Sequence, residues 1–302
     1  MIKEEVIVGK DSEFPLNGML ILPDDTTNPV PAVVFVHGAG MSDMDESVGS
    51  MTPFKDLAEG LVEYGIASLR YDKRTYAHMA RMMEDTSLLV SIKEETTDDA
   101  LLATELLKND PRIDENNVFI IGHNLGGMMA PRLDDEGGNY KGLILIGSTP
   151  RKLENILIDQ NNANLAKMNI LLRFLYRSSA NQFNSSFKGI YNLSDEKAKR
   201  KLIGSGVSAY YFKDIGEHTI ERYLDTLHKP MFIIQGDKDN QVRVDLDFNG
   251  YKTLLNDREN VVFKLYENLN HYLISDVDDG TERHVENEVI NDIANWILKS
   301  AE

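Results

Sequence analysis

Along this chain, short uninterrupted runs of apolar residues alternate with longer stretches in which apolar positions recur every three or four residues. The first pattern belongs to strands buried on both faces and the second to amphipathic helices. Val6 to Val8 and Leu16 to Leu22 form two short strands around a turn, and Ala32 to Val36 is a third, bounded by Pro31 and Gly38. In PFKDLAEGLVEY, residues 53 to 64, Phe54, Leu57, Ala58, Leu61 and Val62 share one helical face, and Gly65 supplies the stop. A strand over Ile66 to Tyr71 completes a strand, helix, strand unit.

The alternation continues with a helix over Asp98 to Lys108, closed by Asn109-Asp110-Pro111, and strands over Val118 to Ile121 and Leu143 to Ile146. It lapses between about Pro150 and Lys229. There, ENILIDQNNANLAKMNILLRFLYRS has helical periodicity and SDEKAKRKLIGSG is a charged helix or loop. Strands at Met231 to Gly236 and Val261 to Tyr266, with helices near Asp245 to Leu255 and Val285 to Leu298, restore the pattern. The expected architecture is α/β: one domain over 1–302 with a mostly parallel sheet covered on both faces, and a helical lid inserted at about 150–229 over the sheet's carboxyl edge.

Composition narrows the function classes. The 302 residues are 42% hydrophobic, enough for a sizeable core, and 49 acidic against 32 basic residues leave a formal charge of −17. That balance argues against nucleic acid or an anionic membrane as partner. The absence of cysteine excludes disulfides, thiolate metal sites and a cysteine nucleophile. The N-terminus lacks the apolar stretch of a secretion signal, and no run of about 18 apolar residues follows, so a cytoplasmic protein is expected. Nothing in the chain indicates its oligomeric state.

Candidate chemistry lies where strands end. IGHNLGG, residues 121 to 127, closes a strand and opens a helix in the frame of a nucleophile elbow, G-x-S-x-G, with Asn124 at the centre where that turn carries serine. An acidic candidate, Asp239 or Asp237, follows a later strand in GDKDNQV, and His271 follows another in NLNHYLI. The order of elbow, acid and histidine matches the hydrolases that use this turn. An oxyanion hole needs one main-chain N–H after the elbow residue and one from a loop after an earlier strand, which singles out Leu125 and the Ala39 of HGAG.

Together, VVFVHGAGMSD, ASLRYDKRT, IGHNLGGMMAPRL, QGDKDNQV and LNHYLI resemble the α/β-hydrolase family over nearly the whole chain, in its bacterial esterase and serine aminopeptidase-like branch. The resemblance implies a cleft beneath a lid, a small-molecule ester or amide as substrate, no metal and no organic cofactor. It makes His271 the general base and then acid, and it favours Asp239 as its partner because the family pattern is G-x-x-D-x-x-V.

Asn124 departs from that pattern at the one group that would form an acyl-enzyme, since its amide nitrogen lone pair is delocalised. Three readings stay open: a serine hydrolase in which this residue has been exchanged, a natural pseudoenzyme that keeps the pocket for binding, and deamidation to a carboxylate nucleophile. The turn itself tolerates asparagine, which accepts positive φ better than most residues.

The remaining candidates weigh toward structure. His123 is expected to be a packed, hydrogen-bonded neighbour of the elbow, and His37 a structural member of its loop. Arg70, Asp72, Lys73 and Arg74 form either substrate contacts or, preferably, a surface salt-bridge network. Tyr210 and Tyr211 are candidates for the substrate pocket, and Met168, Leu171, Leu172, Phe174 and Leu175 for an apolar ceiling. Asp276, Asp278, Asp279 and Gly280 have imperfect calcium-loop spacing and are expected to be solvated. GSG at 204 to 206 lacks the strand and the further glycine of a dinucleotide fingerprint.

Overall fold

A computed structural model describes residues 1–84, 89–204, 206–275 and 283–302. Among the described residues the strands are β1 (Ile2–Val8), β2 (Leu16–Leu22), β3 (Val30–Val36), β4 (Ala67–Tyr71), β5 (Ile113–His123), β6 (Leu143–Ile146), β7 (Leu202–Ile203), β8 (Val207–Ser208), β9 (Met231–Gly236) and β10 (Val261–Tyr266). Eight of them form one sheet in the order β1-β2-β4-β3-β5-β6-β9-β10, and β7 and β8 pair as a small separate hairpin. β1, β2 and β4 are antiparallel to one another in sequence along the edge, and from β4 to β10 every pairing is parallel.

The apolar runs are continuous because their side chains alternate between two buried faces. On β3, Ala32, Val34 and Val36 enter one core while Val33 and Phe35 enter the other. β6 does the same with Leu143 and Leu145 against Ile144 and Ile146. The second core is closed by helices Pro53–Leu61 and Asn287–Ala301, which contribute Phe54, Leu57, Ile290 and Ile293. Helices Asp98–Lys108 and Leu125–Leu133 cover the opposite face with Ala103, Leu107, Met129 and Leu133.

The segment between β6 and β9 carries helices Leu153–Lys167, Ile170–Ser186, Asp195–Arg200 and Ala209–Glu217. The helical pattern at its start is two helices, because Asn169 caps the second by accepting a hydrogen bond from the Leu172 N–H at 3.0 Å. The expectation of an apolar ceiling from this second helix is corrected. Leu171, Leu172, Phe174 and Leu175 are exposed, and Ala180 is the helix's one buried residue. Polar packing turns that apolar stripe outward: Asn161 holds the Ala180 carbonyl and the Asn184 side chain.

Among the described residues no helix is long and apolar enough to cross a membrane. The calcium-loop look-alike at Asp276, Asp278, Asp279 and Gly280 lies outside the described residues.

One close approach sets the centre of the sheet. A Cβ on Gly126 would lie 2.1 Å from the Val36 carbonyl oxygen, and one on Gly122 would lie 2.5 Å from the main chain of Gly126. Strand and helix therefore touch backbone to backbone at this turn. Replacing Gly126→Ala is expected to destabilise the protein by roughly 3 kcal/mol, because neither partner atom is a movable side chain; urea denaturation measures it.

Candidate active site

β5 ends at His123 and the helix Leu125–Leu133 starts at once, so Asn124 occupies the turn with φ 50° and ψ −111°. A non-glycine residue held at positive φ is strained, and here the Asn124 N–H is anchored to the Ile146 carbonyl at 2.9 Å. The turn lifts the Asn124 side chain off the carboxyl edge of the sheet. There its Oδ1 accepts a hydrogen bond from the Leu125 N–H at 2.8 Å, and its Nδ2 donates to His271 Nε2 at 3.1 Å.

That donation decides the tautomer of His271. With Nε2 accepting, the ring proton sits on Nδ1, which donates to Asp239 Oδ2 at 2.8 Å. Burial and the nearby charge of His123 push the His271 pKa down against the pull of Asp239, so the ring is a neutral base. Asp239 has a fully buried side chain, and its Oδ1 accepts from the Gln241 and Val242 N–H groups at 2.8 and 2.9 Å. Asp237 faces elsewhere and caps the following loop through the Asn268 N–H. The structure thus gathers Asn124, His271 and Asp239 into one chain of hydrogen bonds.

The loop after β3 passes beside it. Glu46 Oε1 accepts from the Gly38 N–H at 2.9 Å, and Glu95 Oε1 accepts from the Gly40 N–H at 3.0 Å. Lys73 Nζ donates to the Gly38 carbonyl at 2.8 Å and to Glu95 at 2.7 Å, while Thr75 Oγ1 donates to the Gly40 carbonyl at 3.3 Å. Every polar main-chain group of both glycines is tied to a side chain, and the N–H between them belongs to Ala39, which lines the cavity over Asn124.

This cavity holds about 240 Å³. Met41, Val48, Leu153, Ile156 and Leu157 give it apolar walls, and Gln160, Gln241 and Tyr272 contribute polar ones. A more open groove of about 870 Å³ runs past Phe14 and the helix Asp98–Lys108, but none of the groups above lines it.

Several expectations are corrected by packing. Tyr210 and Tyr211 do not line the cavity. Ser208 caps their helix and Tyr211 is turned inward, where burial and the nearby Glu95 charge raise its pKa, while Tyr210 lies under the Lys199 ammonium, 4.7 Å from its ring centre. Arg70, Asp72, Lys73 and Arg74 are buried rather than on the surface, and the three cations pair with Asp45, Glu95 and Asp99. Burial of this kind demands a partner for each cation, while Asp72 accepts the Met44 N–H at 2.8 Å and burial raises its pKa.

Glu46 and Glu95 were missed in the sequence. Glu46 is one of three neighbouring carboxylates in DMDES, and nothing local tells which of Asp43, Asp45 and Glu46 turns inward.

His37 is buried and donates from Nε2 to the Asp43 carbonyl at 2.9 Å, and burial lowers its pKa to about 4. The unfolded chain binds this proton near pH 6.5 and the folded one does not. Stability from His37 is therefore complete above pH 6.5 and is lost as pH falls toward 4, by up to about 3 kcal/mol. Denaturant titrations across that window are expected to fall less steeply for His37→Gln than for the unmodified chain.

Comparison with known proteins identifies the family and the fold. The family described as serine aminopeptidase, S33, matches residues 27–278. Esterase EstD of Thermotoga maritima is 34% identical over 295 residues, covering 94% of this chain, and the chain spans 66% of that esterase's length. The fold is shared with Est1E from Butyrivibrio proteoclasticus, at a TM-score of 0.61 and 14% identity over 98% of both chains. It is shared as well with the Pyrococcus furiosus esterase Pf2001, at 0.60 and 16% identity over 99% of this chain and 91% of that one.

Proposed function

Because the chain belongs to the serine aminopeptidase S33 family, in the esterase branch of the α/β-hydrolases, we propose that its site is built for acyl transfer from a small carboxylic ester to water and is arrested by Asn124. The observation that carries this reading is the hydrogen-bond chain from Asn124 through His271 to Asp239.

With serine at position 124, His271 Nε2 takes the hydroxyl proton as the oxygen attacks the ester carbonyl. Asp239 holds the Nδ1–H tautomer and stabilises the imidazolium. The oxyanion is met by the N–H groups of Leu125 and Ala39, His271 returns the proton to the leaving alkoxide, and water then cleaves the acyl-enzyme by the same route. The helices between about 150 and 229 act as the lid, since Leu153, Ile156 and Leu157 wall the cavity from above the elbow. The small cavity suits a short acyl group.

Asn124 removes two parts of this machinery. It has no ionisable nucleophile, and its own carbonyl oxygen occupies the Leu125 N–H that the oxyanion would use. Loss of the nucleophile in a hydrolase of this mechanism costs about 10⁶ in turnover, leaving roughly 10³ to 10⁴ over water.

A binding role for the chain as it stands is the second reading, favoured by an amide whose donor and acceptor are both satisfied beneath an open cavity. It predicts saturable heat on titrating apolar esters into the unmodified protein, with no turnover.

Asn124→Ser is expected to raise p-nitrophenyl acetate kcat/KM by roughly 10³ or more, and His271→Ala in that background to abolish the gain. A folded Asn124→Ser protein with no esterase activity would sink the hydrolase reading. In the same background, Asp239→Asn is expected to lower kcat by about 10⁴ with little change in KM, because it unsettles the His271 tautomer.

A further inference from the structure

The loop after β3, the elbow and the loop bearing His271 come from three distant parts of the chain, yet one carboxylate oxygen links them. Glu46 Oε1 accepts from the Gly38 N–H and from His123 Nδ1, each at 2.9 Å. The other ring nitrogen of His123, Nε2, lies 3.2 Å from the His271 carbonyl oxygen. A neutral imidazole has a single N–H. With Glu46 ionised, the state its lowered pKa favours, both nitrogens of His123 face acceptors and both carry protons. His123 is an imidazolium and Glu46 its carboxylate counter-ion, buried together at 4% and 6% exposure.

The surroundings agree. Burial opposes both charges, but each partner outweighs it: the His123 pKa is raised and that of Glu46 lowered. The other ionisable groups facing the pair are His271, Asp239 and Tyr272 around His123, and His37, itself flanked by Asp43 and Lys73, around Glu46. Glu46 also sits at φ 54°, a left-handed conformation that glutamate rarely adopts. Strain of this kind persists only where the surroundings over-determine it, and here two hydrogen bonds to the carboxylate do so.

We propose that Glu46 is a positioning residue for the reaction, which through the imidazolium of His123 holds the oxyanion loop, the elbow and the His271 loop in one register. It acts through the orientation of Ala39 and His271. It sets the charge next to His271 as well, because His123 as a cation disfavours a second proton on the base. The proposal rests on the hydrolase reading for its consequences in turnover, while the ion pair itself is tested without it.

Nitrogen NMR of the histidine rings in the unmodified chain is expected to show His123 protonated on both nitrogens at pH 7, and on one in Glu46→Gln. The same substitution is expected to speed amide exchange at Gly38 by roughly tenfold or more. In the Asn124→Ser protein, Glu46→Gln should lower kcat by about ten- to a hundredfold with KM nearly unchanged. It should also move the acid limb of kcat/KM to higher pH. The neutralised His123 no longer depresses the His271 pKa, and that loss outweighs the smaller loss of the Glu46 charge itself. Glu46→Asp retains the charge but not the reach, so the limb stays in place while Gly38 exchange rises and kcat falls.

A singly protonated His123 at pH 7 in the unmodified chain overturns the pair. Gly38 exchange, kcat and the acid limb all unmoved in Glu46→Gln overturn the positioning role. If Asn124→Ser is inactive, the hydrolase reading fails, and ring protonation with Gly38 exchange still decides the present one.

Discussion

Gly126 stands against the Val36 carbonyl with no room for a side chain, and the site takes its shape from that contact. Because the helix after β5 must begin within van der Waals reach of β3, the residue between strand and helix cannot continue either conformation. It is forced to positive φ and its side chain is carried above the carboxyl edge of the sheet. The same contact brings the loop after β3 beside the elbow, so that Ala39 and Asn124 line one cavity despite their separation in the chain. Asn124 satisfies the backbone demand of this turn while presenting a carboxamide where the nucleophile-elbow pattern has a serine hydroxyl. Packing geometry and reactivity are separable here because they fall on different atoms of one residue.

Charge is distributed on two scales. The surface carries the excess of acid, and the interior around the site holds acids that are each satisfied: Glu46 pairs with His123, Glu95 with Lys73 and Asp99 with Arg74, while Asp239 is held by hydrogen bonds from neutral His271 and two main-chain N–H groups. In a low-dielectric interior an unpaired carboxylate would be untenable, so these pairs constrain which loops can coexist. Two of them end on the glycines that flank Ala39. The glycines that flank Ala39 have no side chains of their own to hold this loop, and neighbouring carboxylates tie it down instead.

Asn124 leaves the site electrically quiet. Its amide donates to His271 and accepts from Leu125, so the base remains neutral and the N–H after the elbow is already satisfied. The arrangement thus resembles a hydrolase site filled by its own side chain.

Local sequence determined the strands, the helices and the order of the site groups. Apolar runs bounded by glycine and proline fall on β3, β5, β6 and β9, and HGAG, IGHNLGG, GDKDNQV and NLNHYLI all emerge from strand ends at one edge. These features were legible because period, turn residues and motif spacing are properties of neighbouring residues. The family pattern already favoured Asp239 over Asp237, and what the fold alone decided is contact at a distance: that Glu46 rather than Asp43 or Asp45 turns inward, and that the cations at 70, 73 and 74 are buried. It turned the apolar stripe of Ile170–Ser186 to solvent and kept Tyr210 and Tyr211 out of the cavity. Those outcomes depend on which distant charge or backbone group meets each side chain, and a linear pattern holds no information about a partner a hundred residues away until the sheet has brought the two together.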